Sequence, residues 1–350
     1  MLIFYPIKGK LVPFRQQIRQ SNGYFAALMA SIPDFSFIDK ELQLFEKRFK
    51  EAVKSNAPLL DRITHYIISR KGKQLRPRFV ILSARLFGEA TTSTFNAASL
   101  VELLHTATLV HDDVVDESLE RRGFFSINAI WKNKVAVLVG DYLLSKGLLL
   151  SLDNNEHKVL QILSDAVRRM SEGELLQSEK SRKLNLDEGI YFEIIRNKTA
   201  SLLASACGAG AWSSSKSEEI TRQMMLFGEY AGIAFQIKDD LFDYGNTNVG
   251  KPTGNDIKEK KLTLPLIFTL NKLDKPQRRK IIYILKNENK SKEKVAWVIE
   301  QVILAGGIDY ATQKMLDYRD KALAILKEMP QNEANKVLES LVKYTTDRTY

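Results

Sequence analysis

Apolar residues recur three and four positions apart over most of the chain. Between Leu100 and Val110 they include Leu100, Val101, Leu103, Leu104 and Ala107, and a similar spacing runs from Glu193 to Ala209. This is the period of helices that bury one face. Alternation with a period of two is scarce, and only nine prolines interrupt the pattern. The chain is therefore expected to be all-α. No stretch rich in Pro, Gly and Ser divides it, so residues 34–350 are expected to form a single helical domain behind an N-terminal extension, residues 1–33. The most apolar long stretch, Val135 to Leu152, carries Asp141 and Lys146 and reads as a core helix rather than a membrane span.

Two acidic clusters stand inside this apolar pattern. They are Asp112-Asp113-Val-Val-Asp116, preceded by Thr108-Leu-Val-His111, and Asp239-Asp240-Leu-Phe-Asp243, preceded by Ala234-Phe-Gln-Ile-Lys238. On a helix the first and third carboxylates of each cluster share a face, about one turn apart. Unpaired charge is costly in apolar surroundings. Mg²⁺ relieves that cost by taking carboxylate oxygens while sharing its other positions with water and substrate phosphates. One such cluster alone is as well explained by a solvated helix face. Two, both with apolar flanks, point to facing walls of one cavity that holds a diphosphate through magnesium, built from different helices of one bundle.

Composition changes this picture little. Apolar residues make up 44% and charged residues 27%, ordinary values for a globular enzyme. The single cysteine, Cys207, lies in the small-residue run Ser205-Ala-Cys-Gly-Ala-Gly210 and is expected to be a packing residue, in a reducing, cytoplasmic setting. The net charge of +10 raises nucleic-acid binding as a reading. The basic residues are widely spread and no nucleic-acid module is recognisable, so no nucleic-acid partner is expected; a site for two diphosphates needs cations in any case. A basic surface also suits peripheral association with anionic lipids. Residues 1–33 lack Asp and Glu but carry Lys8, Lys10, Arg15 and Arg19, the composition of a targeting leader. A flexible extension, or a start at Met29, is preferred over that reading.

Further motifs accompany the clusters. In order they are Gly72-Lys73-Gln74-Leu75-Arg76-Pro77, Glu102-Leu-Leu-His105, Arg121-Arg122-Gly123, Gly173-Glu174-Leu-Leu-Gln177, Lys198-Thr199, Phe235-Gln236 and Gly250-Lys251-Pro252. Over roughly residues 40–350 the chain resembles the trans-polyprenyl diphosphate synthases that make long linear prenyl chains. The resemblance implies an isoprenoid-synthase-type helical bundle around a central cavity, and a homodimer with complete sites in each subunit. It implies a Mg²⁺-dependent head-to-tail condensation of isopentenyl diphosphate with an allylic diphosphate such as farnesyl diphosphate. The allylic C–O bond breaks to a carbocation and pyrophosphate, the isopentenyl double bond attacks, and a proton is lost, with the released pyrophosphate as its acceptor.

The same resemblance assigns roles. Asp112, Asp116 and Asp239 lead as magnesium ligands, supported by Asp113, Asp240 and Asp243, with three ions expected alongside the allylic diphosphate. Lys198, Lys251, Arg121 and Lys261 would contact that diphosphate, as compact or forked cations suited to phosphate oxygens. Lys73, Arg76, His105 and Arg122 would form a metal-free site for isopentenyl diphosphate, where arginine can grip phosphate bidentately. Thr199 and Gln236 would stabilise the cation with oxygen dipoles. For Gly173, Glu174 and Gln177 only close helix packing is expected. His65 and His157 are expected to be structural, and His111 is left open.

Product length is expected to follow from the helix that carries Asp112. Its positions four and five residues upstream, Thr108 and Ala107, are small, where short-chain relatives place a bulky aromatic. The tail should run past them towards the helix N-terminus, with Leu104, and Tyr142 or Leu143, as its floor. Each helical turn adds about 5.4 Å, close to one isoprene unit, which leads to an expected product of about six to eight units and, by its usual destination, to a quinone side chain.

Two positions depart from the family pattern. Gln74 replaces an arginine. Lys260 stands where a glycine usually precedes the lysine at Lys261; a positive φ there would strain the turn, or the added charge would reach phosphate. Two rival readings remain: a class I terpene cyclase, and a non-catalytic partner subunit that sets chain length.

Overall fold

The computed structural model describes residues 4–7, 10–13, 33–69, 72, 74–121, 123–183, 187–245 and 254–347, and the side chains of all of these from 33 onward except 182 and 183. Lys73, Arg122 and Lys251 lie outside the described residues. A hairpin of β1 (Phe4–Ile7) and β2 (Lys10–Pro13) precedes helices α1 (Asp39–Ala52), α2 (Pro58–Ser69), α3 (Leu75–Arg85) and α4 (Thr92–Val115). A second short hairpin, β3 (Glu120–Arg121) with β4 (Phe124–Phe125), leads into α5 (Ile127–Asp153), α6 (His157–Lys183) and α7 (Glu188–Ile195). One of two π-helical turns among the described residues, Arg196–Ala200, joins α7 to α8 (Ser201–Ser215), followed by α9 (Glu218–Phe242) and the short α10 (Asn255–Lys258); the other is Ile284–Glu288. The chain closes with α11 (Leu264–Lys272), α12 (Lys275–Tyr283), α13 (Lys292–Ala305), α14 (Gly307–Lys327) and α15 (Glu333–Asp347). The expectation of an all-α bundle is met; among the described residues strands occur only in the two hairpins.

The bundle is organised around α8. Its run of Ser, Ala, Gly and Cys is almost wholly buried, and α3, α4, α6 and α9 all pack against it. Small side chains make that approach possible. A Cβ on Gly210 would sit 2.2 Å from the Val80 carbonyl oxygen of α3, and one on Gly228 of α9 would sit 2.6 Å from the Leu203 carbonyl of α8. Helix α9 then links two apolar clusters: Met224 and Phe227 belong to the one with α3, α4 and α8, while Ile233 and Ile237 belong to one with α11, α13 and α14.

Local signals start the two helices that carry the acidic clusters. Thr91 and Thr94 form a reciprocal capping box at the head of α4, and the Ser217 hydroxyl accepts from the Ile220 N–H at the head of α9. Both helices end in their aspartates, with no basic residue in the last turn.

Helix α5 departs from its expected role. It packs along α4, but only on one side. Ile130, Val137, Leu138, Leu148, Leu149 and Leu152 remain exposed, Leu138 by 58%. The reading as a core helix is corrected to that of a helix with one covered and one bare apolar face. Its length and a mean hydropathy of 1.7 over eighteen residues would suffice to cross a membrane.

Cys207 is fully buried on α8, and burial, partly offset by a hydrogen bond with Ser83, pushes its thiol up to about 12. The thiol stays protonated and inaccessible at neutral pH. The native protein should resist a thiol-specific chromogenic disulfide such as DTNB at mildly alkaline pH. In guanidinium the lone cysteine should react to one equivalent. Rapid native labelling would contradict a packing role.

Candidate active site

The two aspartate clusters sit at the C-terminal ends of α4 and α9. Exposed carbonyls already make a helix C-terminus negative, so carboxylates there are unfavourable until a cation arrives. Burial, then Glu174 and Asp116, push the Asp112 carboxyl above its ordinary range, against the opposing pull of Lys198 and Arg121. Across the site, burial pushes Asp240 up to about 7, and Asp256 and Asp239 add to the shift against hydrogen bonds from Gln236 and Tyr191.

Not every aspartate is available to a metal. The Arg121 guanidinium donates to Asp113 Oδ1 at 2.7 Å from Nε and 2.6 Å from Nη2. Asp240 is held at both oxygens: Tyr191 donates to Oδ2 at 2.7 Å and Gln236 Nε2 to Oδ1 at 2.9 Å. Asp243 accepts the backbone N–H groups of Asn255 at 2.8 Å and Asp256 at 3.0 Å, which ties the end of α9 to the start of α10. Asp113, Asp240 and Asp243, the three that the resemblance makes supporting residues, are thus bound within the chain. Among the described residues no three acidic, His or Cys side chains form a ready-made cage. That suits Mg²⁺, which binds through one or two carboxylates plus water and substrate phosphates. The donor chemistry, carboxylates raised by burial and mutual repulsion at negative helix ends, fits the ion.

Lys198 and Lys261 lie between the clusters. Lys198 acts on Asp112 and lines a cavity with Asp239, Asp243, Gln177, Thr199 and Gln236. Lys261 lines the same cavity and feels Asp116 from the first cluster as well as Asp256 and Glu259. Thr199 donates to Gln236 Oε1 at 2.8 Å, so the proposed cation-stabilising pair is joined and continues through Gln236 to Asp240. The π-turn, a feature frequent at functional sites, is what carries Lys198 and Thr199.

Of the residues expected to hold isopentenyl diphosphate, His105 falls elsewhere. With Gln74, Asp113 and Arg121 it lines a separate cleft walled by Phe49, Tyr66, Leu109 and Phe124. Arg121 therefore stands with His105, although its charge still reaches Asp112. Arg76 lies in the first turn of α3, two residues beyond Gln74, whose own φ is +50°. His111 leaves the site: its Nε2 lies 3.2 Å from the Val137 carbonyl of α5. Of the chain-length candidates, Ala107 and Leu104 are buried, and Thr108 is half-buried with its hydroxyl donating to the His105 carbonyl at 2.8 Å.

Two residues of the cavity, and one that pairs with its Lys198, escaped sequence reasoning. Asp256 is pushed to about 6 by burial, with Asp243, Glu259 and Asp239 adding to the shift against Lys261. Its only signal was its place between Lys251 and Lys261. Tyr191 carried no signal, being one aromatic in an apolar run. Glu174 sat in a quoted motif with no role attached, yet it pairs with Lys198.

The chain as a whole is similar to known proteins. The polyprenyl synthetase family model matches residues 57–302. The chain belongs to the polyprenyl synthetase family. Component 2 of the heptaprenyl diphosphate synthase of Bacillus subtilis is 31% identical over 90% of each chain. A decaprenyl diphosphate synthase structure from Rhodobacter capsulatus superposes with a TM-score of 0.85 at 33% identity, covering 89% of this chain and 97% of that one. A geranylgeranyl pyrophosphate synthase structure from Bacteroides thetaiotaomicron reaches 38% identity and a TM-score of 0.76, covering 89% and 97%. The protein is a prenyltransferase of the long-chain trans-polyprenyl diphosphate synthase type, with the all-α isoprenoid synthase fold.

The departure at Lys260 has a structural answer. Its φ is +59°, the left-handed region that a glycine would occupy without cost. Its ammonium turns away from the cavity to the Lys286 carbonyl at 3.1 Å, so the added charge does not serve the site. Lys260→Gly should stabilise the protein by up to about 1 kcal/mol, read by urea unfolding. A loss of stability would show that the Lys286 contact outweighs the backbone strain.

Proposed function

We propose that this prenyltransferase extends an allylic diphosphate, such as farnesyl diphosphate, with isopentenyl diphosphate to a product of about six to eight units by the turn-per-isoprene geometry of α4. Such a product suits a quinone side chain. The observation that carries the reading is the pair of aspartate clusters at facing helix ends with Lys198 and Lys261 between them.

Magnesium, when bound through Asp112, Asp116 and Asp239, supplies positive charge against the phosphate oxygens. Lys198 and Lys261, with Lys251 outside the described residues, orient the diphosphate and take up the charge that the leaving pyrophosphate acquires. Thr199 and Gln236 would stabilise the allylic cation with their oxygen dipoles, and the tether to Asp240 and Tyr191 holds the pair in place. The second cleft, with His105 and Arg121, receives isopentenyl diphosphate without metal; Arg76, and Lys73 and Arg122 outside the described residues, are assigned to the same substrate by the resemblance alone. Two separate concavities suit a two-substrate condensation, and a cyclase has no use for the second.

The bare face of α5 is assigned to a second copy of this chain. A bilayer fits it poorly, because the helix packs along α4 on its other side and Lys134 and Asp141 interrupt the exposed stripe. The name of the Bacillus protein, a component, raises a different partner, and one experiment separates the two. The purified chain should sediment as a dimer, and Leu138→Asp combined with Leu149→Asp should make it a monomer. Monomeric wild-type protein would reject the assignment.

With Mg²⁺, farnesyl diphosphate and labelled isopentenyl diphosphate, the purified chain should give a product ladder ending near six to eight units. An end at four units would reject the length, and no incorporation would favour the partner-subunit reading. Thr108→Phe should shorten the longest product by about one unit or more. Ala107→Phe is expected to shorten it too, but at a fully buried position where overpacking costs about 1–3 kcal/mol. An unchanged ladder in folded Thr108→Phe would remove α4 from the control of length.

A further inference from the structure

Lys198, the cation that acts most strongly on Asp112, already has partners. Its ammonium lies 2.5 Å from the Glu174 carboxylate and donates to Gln177 Oε1 at 2.9 Å. Glu174 and Gln177 are three residues apart on α6 and so share one face. The backbone is pinned as well. A Cβ on Gly173 would lie 2.8 Å from the Lys198 nitrogen, so only glycine lets α6 come this close to the π-turn. Next to the lysine, Asn197 accepts from Arg169 at 3.1 Å, and Glu229 gathers Arg169 at 3.4 Å and Arg196 at 3.1 Å. Lys198 thus has a fixed place, and its immediate partner there is a carboxylate.

That carboxylate also belongs to the first cluster electrostatically. Glu174 is, after burial, the largest of the influences that push Asp112 up. Both Lys198 and Glu174 are about two-thirds buried, with 34% and 35% of their side-chain surface exposed, so their attraction is screened less than that of a surface pair. An arriving diphosphate meets Asp112, Asp116 and Glu174 together, while the Lys198 ammonium is neutralised. Positive charge at Asp112 and Asp116 reverses this, because Glu174 then has a second cation to turn to.

We propose that Glu174 is a positioning residue that makes capture of the diphosphate conditional on magnesium. It holds Lys198 while the first cluster is bare and yields it to phosphate once the cluster is charged. The inference rests on the function proposed above. It is a coupling between two ligands, and so it is reciprocal: magnesium strengthens diphosphate binding by the factor that diphosphate strengthens magnesium binding.

Titration calorimetry with inorganic pyrophosphate tests it without turnover. Glu174→Gln keeps the size of the side chain and an acceptor for Lys198 but removes the charge. In EDTA it should bind pyrophosphate about five- to tenfold more tightly than wild type, and in excess Mg²⁺ the gain should shrink to less than about twofold. Glu172→Gln removes the same charge from a neighbouring position on α6 that pairs with Arg168, and should match wild type in both buffers. In a Lys198→Met background, Glu174→Gln should gain nothing in EDTA. No gain in EDTA, an equal gain in both buffers, or a matching gain from Glu172→Gln would overturn the inference and leave the enzymatic reading intact. Wild-type protein that binds no pyrophosphate even with Mg²⁺ would overturn both.

Discussion

Two helices end in carboxylates where their own dipoles are negative, and the surrounding structure answers to that conflict. Aspartates at the C-termini of α4 and α9 would be stabilised by basic residues in the last turn, and neither helix has one. Three of the six are satisfied internally, by Arg121, by Tyr191 with Gln236, and by the backbone of α10. Asp112, raised by burial and by Glu174 and Asp116, still gains from an added cation. A site that is electrostatically incomplete by itself is suited to a substrate that arrives with metal, because neither alone satisfies it.

Holding the conflict in place requires that α4 and α9 cannot drift apart. Helix α8 provides this through small side chains rather than through specific polar bonds. Glycines such as Gly210 and Gly228 bring the neighbouring backbones to distances at which no Cβ fits. Close-packed interfaces of this sort have few alternative arrangements. The π-turn at the head of α8 then transmits that rigidity to Lys198 and Thr199. The same stretch of α6 that buttresses the turn supplies Glu174, so support and electrostatics come from one helix face.

Much of the site was legible because its chemistry depends on spacing within single helices. The structure brings Asp239, Asp240, Asp243, Lys198, Thr199 and Gln236 of those motifs to one cavity, and the strain anticipated at Lys260 appears as a positive φ. Tyr191 and Asp256 were not legible. Each acts on a carboxylate distant in sequence, and neither type nor spacing distinguishes a tyrosine that donates to Asp240 from any other half-apolar residue. Helix α5 was misread for a related reason: periodicity shows that a face is apolar but not what covers it.

The sequence by itself determined that the chain is helical, that two acidic clusters lie in apolar helices, and which family it belongs to, since these follow from local period and from side-chain type. Only the tertiary structure decided which carboxylates accept hydrogen bonds within the chain, that Arg121 and His105 share one cleft while Lys198 and Lys261 share another, and that Glu174 pairs with Lys198 and bears on Asp112. Those relations are set by how helices pack around α8, and burial and distance, rather than residue identity, give each charge its partner and its cost.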